Sequence, residues 1–193
     1  MSSRPSPLPN RVSPLGDIVA HPARGLMMGN RGGKIHDEWA IRRKQASRRW
    51  ITCVTEFRNR RRKVMESGYT ELFFLDEATA LAAGHRPCFE CRRADASAYA
   101  AALGIERADD IDRAVAADRL LPRPGRPQDL PDGAMILHCE AVYLIHKGAM
   151  RRWSFEGYGP AEPLADRAFT LTPSASVAAL RAGFSPVLHP DLG

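Results

Sequence analysis

Read for its apolar and polar positions, the chain shows its first regular pattern at Arg48. RRWITCVTEF (48–57) is rich in β-branched and aromatic residues and predicts a strand. Period two puts Trp50, Thr52, Val54 and Glu56 on one side and Ile51, Cys53, Thr55 and Phe57 on the other. The Cys53 face, with Ile51 and Phe57, is expected to be the buried one. RNRRRKVM follows as the turn and hairpin partner. YTELFF predicts a short strand, and LDEATALAAG a helix that Asp76 can cap and Gly84, in a left-handed conformation, can end. RRADASAYAAAL predicts a second helix. A third is expected within 104–121, with Ile111, Val115 and Leu120 as its inner stripe. AMILHCEAVYLIHKGAMRRWSF predicts two or three antiparallel strands, with Cys139 a core thiol of one.

Prolines and glycines divide this pattern. Residues 1–33 carry prolines at 5, 7, 9, 14 and 22 and then GNRGGK, so they read as an extended tail ending in a turn. PRPGRPQDLPDG (122–133) reads as a linker. The divisions are therefore a tail (1–33), a region with helices around the Cys88-x-x-Cys91 turn, whose two thiolates suit a zinc ion (34–121), the linker (122–133) and a β-rich C-terminal lobe (134–193). The expected class is α+β: a small antiparallel sheet and alanine-rich helices around a zinc clip, followed by that lobe. LFFLDEATALAAGHRP and FTLTPSASVAALRAGFSP share an order of strand, polar cap, alanine-rich helix and AG, which is either a degenerate repeat or, the reading preferred, a common strand–helix–turn device used twice.

Charge changes the picture more than composition does. The first 65 residues hold 15 Lys/Arg against 4 Asp/Glu, whereas the other 128 hold 13 against 18. A polyanion is thus expected to meet the N-terminal third. Arg48, Arg49, Arg58, Arg60, Arg61, Arg62 and Lys63 are the candidate phosphate contacts. Trp39, Trp50 and Phe57 lie among the basic residues, where they could stack on bases. No apolar run approaches the ~18 residues of a membrane span, and the N-terminus lacks the apolar core of a signal peptide. These features predict a cytoplasmic protein that does not engage membranes.

In such a compartment four cysteines that include one CxxC favour a metal over disulfides. AGHRPCFECRR (83–93) sets Cys88 and Cys91 on a turn, where two thiolates can face one tetrahedral zinc. Phe73, Phe74, Ala83, Gly84, Pro87, Cys88, Cys91 and Arg92, spaced as they are here, resemble the end of the metal-binding domain of the Ada DNA methylphosphotriester repair protein. The resemblance spans roughly residues 50–95 and implies a zinc site, Cys53 as a third ligand, and association with DNA. It departs from the family where Phe57 occupies the place of a fourth cysteine, so methyl transfer to Cys53 is not carried over. His36, His85 and Cys139 are the candidates for the fourth ligand, with His36 ranked first and His85 expected to be a ring packed under the helix end.

The resulting expectation is a zinc-binding, DNA-binding protein of repair or processing. Two alternatives stand beside it. His36-Asp37-Glu38 with Pro87-Cys88-Phe89-Glu90-Cys91 spells the H-x-E…P-C-x-x-C of zinc-dependent nucleobase deaminases, in which Glu38 would move protons. A purely structural zinc protein is the other.

Overall fold

The computed structural model describes residues 3–60, 63–66 and 68–192. The fold is α+β, with two six-stranded sheets, a two-stranded ribbon and four α-helices among the described residues. The first sheet is built from β1 (Pro9–Val12), β2 (Ile18–Ala20), β3 (Met27–Arg31), the ribbon strands β4 (His36–Asp37) and β5 (Ala40–Ile41) standing apart from it, then β6 (Trp50–Val54) and β7 (Leu72–Phe74). Helix α1 (Glu77–Ala82) leads to the last strand of that sheet, β8 (Arg86–Pro87). Its spatial order is β2-β1-β7-β3-β6-β8, antiparallel except where β1 meets β7 and β6 meets β8.

Helices α2 (Arg93–Leu103) and α3 (Ala108–Ala116) follow. The second sheet then takes β9 (Arg123–Gly125), β10 (Met135–His138), β11 (Ala141–His146), β12 (Ala149–Ser154), β13 (Gly157–Glu162) and β14 (Ala168–Thr170). Its order is β13-β12-β11-β10-β14-β9, antiparallel throughout. Helix α4 (Ser174–Arg181) closes the chain's regular structure.

Every residue of α1 is buried, which explains its sequence. Ala80 and Ala83 pack on the first sheet against Val12, Leu72 and Phe74, while Ala78 and Ala82 pack on Met135, Val142 and Leu144 of the second. A helix enclosed on opposite sides admits only small side chains where backbones approach closely. Asp76 caps it as expected, accepting from the Thr79 N–H at 2.9 Å, and also accepts from Tyr158 Oη at 2.9 Å and the His189 N–H at 3.2 Å. The cap thus fastens the second sheet and the C-terminal segment to the first half. Helices α2, α3 and α4 share a further core of Tyr99, Ile111, Val115, Leu180 and Phe184.

Gly84 ends α1 at φ +78°, a conformation that favours glycine, and a Cβ there would lie 2.4 Å from Arg119 Cγ. The repeated device has the same geometry in both places. Gly84 and Gly183 both have positive φ, and the next residues, His85 and Phe184, donate to Ala80 and Ala179 at 2.9 and 3.0 Å.

Four expectations are corrected. Residues 1–33 are not a tail: they supply β1, β2 and β3, because MMGNR pairs with β6 along its whole length. The neighbours of β6 are consequently β3 and β8, and the described residues of RNRRRKVM form no hairpin partner for it; Arg61 and Arg62 lie outside the described residues. The linker contributes β9, which pairs with β14, so the C-terminal lobe begins earlier than its apolar pattern suggests. Cys139 is no core thiol. It is exposed at the tip of the β10–β11 hairpin, with φ +45° at Cys139 and +62° at Glu140.

Candidate metal centre

The sequence positions the CxxC turn through β6. Cys53 enters from that strand, beside Met28 on β3. β8 runs parallel to β6 at the sheet's edge, where Pro87 lacks no needed N–H bond to a further strand. The chain then continues along β6: the Cys88 N–H donates to Thr52 O at 3.0 Å. This brings three sulfurs together. The ligand atoms of Cys53, Cys88 and Cys91 all lie within 4.8 Å of one another, and all three are free thiols. Zinc with Zn–S bonds of about 2.3 Å separates tetrahedral sulfurs by about 3.8 Å, so small side-chain adjustments suffice to close the group on the ion.

Local polarity favours thiolates. The Glu90 N–H approaches Cys88 Sγ at 3.4 Å, and the backbone N–H groups of Cys91 and Val54 are directed at Cys88 and Cys91 respectively. Hydrogen bonds from the Cys53 and Cys91 thiols, joined by these N–H groups, hold Cys88 far below the ordinary thiol range. Cys53 is pushed the other way: it is the donor to Cys88 and Cys91, and burial adds to the rise. A metal held by these three sulfurs would displace the protons they share. The start of α2, immediately after Cys91, adds the positive end of a helix dipole.

Two buried ion pairs lock the segments on either side. Arg86 makes a bidentate pair with Asp112 on α3, at 3.0 and 3.1 Å. Arg92 grips Glu77 at the start of α1 with both terminal nitrogens, the second at 2.8 Å, and reaches Asp95 at 2.9 Å. The sequence assigns neither arginine a positioning role: Arg86 is signalled only by adjacency to the CxxC, and Arg92 by that and by its place in the resemblance.

The structure does not bring the other proposed ligands to this group. No fourth His, Cys, Asp or Glu joins it among the described residues. His36 Nδ1 lies 2.6 Å from Thr70 Oγ1 on the β4–β5 ribbon, and Glu38 stands at that ribbon's turn with φ +48°. The H-x-E…P-C-x-x-C constellation is therefore not assembled. Cys139 Sγ lies 3.3 Å from His138 Nε2 at its hairpin tip. His85 is fully buried between Trp50 and Phe74, with centroids 5.0 and 4.6 Å away, as the packed-ring reading expects.

Burial, reinforced by Arg31 and Arg119, drives the His85 pKa well below its ordinary value. The folded protein thus keeps this ring neutral where the unfolded chain would protonate it. Stability is unaffected above the unfolded pKa near ~6.5 and falls as the pH drops below it, by up to about 1.4 kcal/mol per pH unit. Between pH 7.5 and 5.0, wild type should lose about 2 kcal/mol more than His85→Phe in denaturant titrations. Equal losses would show that His85 is protonated in the folded state.

The basic candidates surround the centre unevenly. Arg58 and Arg60 flank the Phe57 ring at 4.9 and 5.3 Å, and Arg60 pairs with Glu90 inside the CxxC turn. Lys63 is exposed nearby in sequence. Arg48 and Arg49 are exposed beyond the other end of β6, and Arg49 pairs with Asp109 at 3.1 Å. On β6 itself Cys53 is buried as expected, but the opposite face is covered too: Trp50 and Thr52 are buried, while Ile51 on the Cys53 side is only half-buried. Among the described residues no helix is long and apolar enough to cross a membrane. Compared with protein families, with curated proteins and with solved structures, the chain matches none.

Proposed function

We propose that the protein is a zinc-binding, nucleic-acid-binding protein in which Cys53, Cys88 and Cys91 hold the ion beside a basic, aromatic-bearing loop. The carrying observation is the convergence of the three sulfurs within 4.8 Å, with Arg60 tied by Glu90 to the same turn. Three thiolates on Zn²⁺ leave one net negative charge, which the α2 N-terminus and Arg60 offset. Zinc would hold β6 and the CxxC turn in register, and so fix the loop of Phe57, Arg58 and Arg60. A base can stack on Phe57 while the two guanidiniums meet flanking phosphates. The resemblance to the Ada metal-binding domain supports DNA as the partner and repair or processing as the setting. A fourth position supplied from outside the described side chains would be taken by water or by a ligand.

Fluorescence anisotropy with single-stranded and duplex DNA across a salt series tests this reading. Binding should weaken linearly in log salt, and Arg58→Ala with Arg60→Ala should lower the slope for single strands by about 1 to 1.5. The loss should be similar for different sequences, since phosphate contacts carry no base information. No binding to either DNA at low salt would leave a structural zinc protein.

A further inference from the structure

The end of β3 and β6 opposite the metal carries a second constellation. Trp50 lies between two guanidiniums, with Arg31 Cζ 4.0 Å and Arg119 Cζ 4.1 Å from its ring. Arg31 is 2% exposed. Its terminal nitrogens donate to Gly16 O at 2.8 Å and Lys44 O at 3.4 Å, and its Nε has no partner. Neither Arg31 nor Arg119 makes an ion pair with a described carboxylate, unlike the buried Arg86 and Arg92. A buried charge held only at longer range by a carboxylate, here Asp17, is costly, and a site that binds an anion supplies a direct counter-ion.

Arg31 forms the inner wall of a 520 Å³ pocket whose rim carries Arg42, Arg43 and Lys44, with Ile18 and Leu120 as apolar flanks. Asp17 is the one acidic residue in the lining, and it makes no ion pair with Arg31. Arg42 and Lys44 are exposed and form no ion pair among the described residues, while Arg43 is turned back to Lys34 O. Burial and the nearby Arg119, opposed in part by Asp17, bring the Arg31 pKa down to about 9, which leaves it charged at neutral pH. We propose that this pocket is a phosphate-binding site, in which Arg31 meets the anion at the inner wall and Arg42 and Lys44 close over it from the rim. The volume suits a phosphate ester with an organic group, whose apolar edge Ile18 and Leu120 would cover. A phosphomonoester of a free nucleotide and a phosphodiester of a nucleic-acid strand offer the same chemistry.

This proposal does not depend on the metal centre or on the loop of Arg58 and Arg60, and its test separates them. Zinc-loaded protein is titrated calorimetrically with adenosine monophosphate and with a short oligothymidylate lacking a terminal phosphate. Binding of the mononucleotide alone would assign a monoester; comparable binding of both would assign the phosphodiester. In either case Arg42→Ala with Lys44→Ala, both at exposed positions, should weaken binding by about tenfold or more at unchanged zinc content. Arg31→Met should abolish it, and Arg58→Ala with Arg60→Ala should leave mononucleotide binding unaltered. Failure of both ligands to bind wild type, or an unchanged affinity in the Arg42/Lys44 variant, would overturn the site.

Discussion

Cys88→Ser is expected to lose the metal and to melt at least about 10 °C below wild type. A metal in the proposed centre would contribute directly to folding free energy, and several kcal/mol in a domain of this size correspond to a shift of that order. Cys88 is the sulfur that both other thiols and two backbone N–H groups address, so its hydroxyl replacement removes the centre's preferred anion. Cys53→Ser should behave alike, because that side chain comes from β6 and joins the sheet to the turn. Cys139→Ser, at an exposed hairpin tip, should keep both metal and melting temperature. Elemental analysis and thermal melting of the three variants decide the matter. A Cys88 variant with full zinc content would remove the centre.

The second large effect is expected from Arg92→Ala. Its side chain and that of Glu77 are 3% and 0% exposed, so truncation leaves a buried carboxylate without its counter-charge. Removing one partner of such a pair typically costs about 3–5 kcal/mol. Glu77→Gln should also destabilise, since Glu77 accepts the Val187 N–H at 2.9 Å as well and anchors the C-terminal segment to α1. The double variant Arg92→Ala with Glu77→Gln should lose less than the sum of the two single losses. Denaturant unfolding of the four proteins gives the coupling energy directly. A cost below about 1 kcal/mol for Arg92→Ala would mean that water reaches the pair.

What could be read from the sequence was local. Asp76 and Gly84 are the two ends of one short helix, and each acts through atoms only a few residues away. The CxxC turn and its link to Cys53 were legible for a different reason: thiolates at a turn have few other uses in this setting, and the resemblance pointed upstream to β6. Pairings between distant segments were not legible. MMGNR has a glycine and an asparagine where a strand pattern would show branched residues, and only β6 and β7 on either side make it a strand. His36 was chosen because a histidine can ligate zinc, but no short-range signal distinguishes a ligand from a ring held by Thr70. Cys139 and Glu140 occupy positive-φ turn positions that Asn-Gly would have announced. The buried partners of Arg86 and Arg92 lie 26 and 15 residues away, beyond any local pattern.

X-ray absorption at the zinc edge of the purified protein tests the centre most directly. The account predicts one zinc per chain with three sulfur neighbours at about 2.3 Å and one lighter oxygen or nitrogen neighbour at about 2.0–2.2 Å. Four sulfurs, two or fewer, or a protein that takes up no zinc would contradict it.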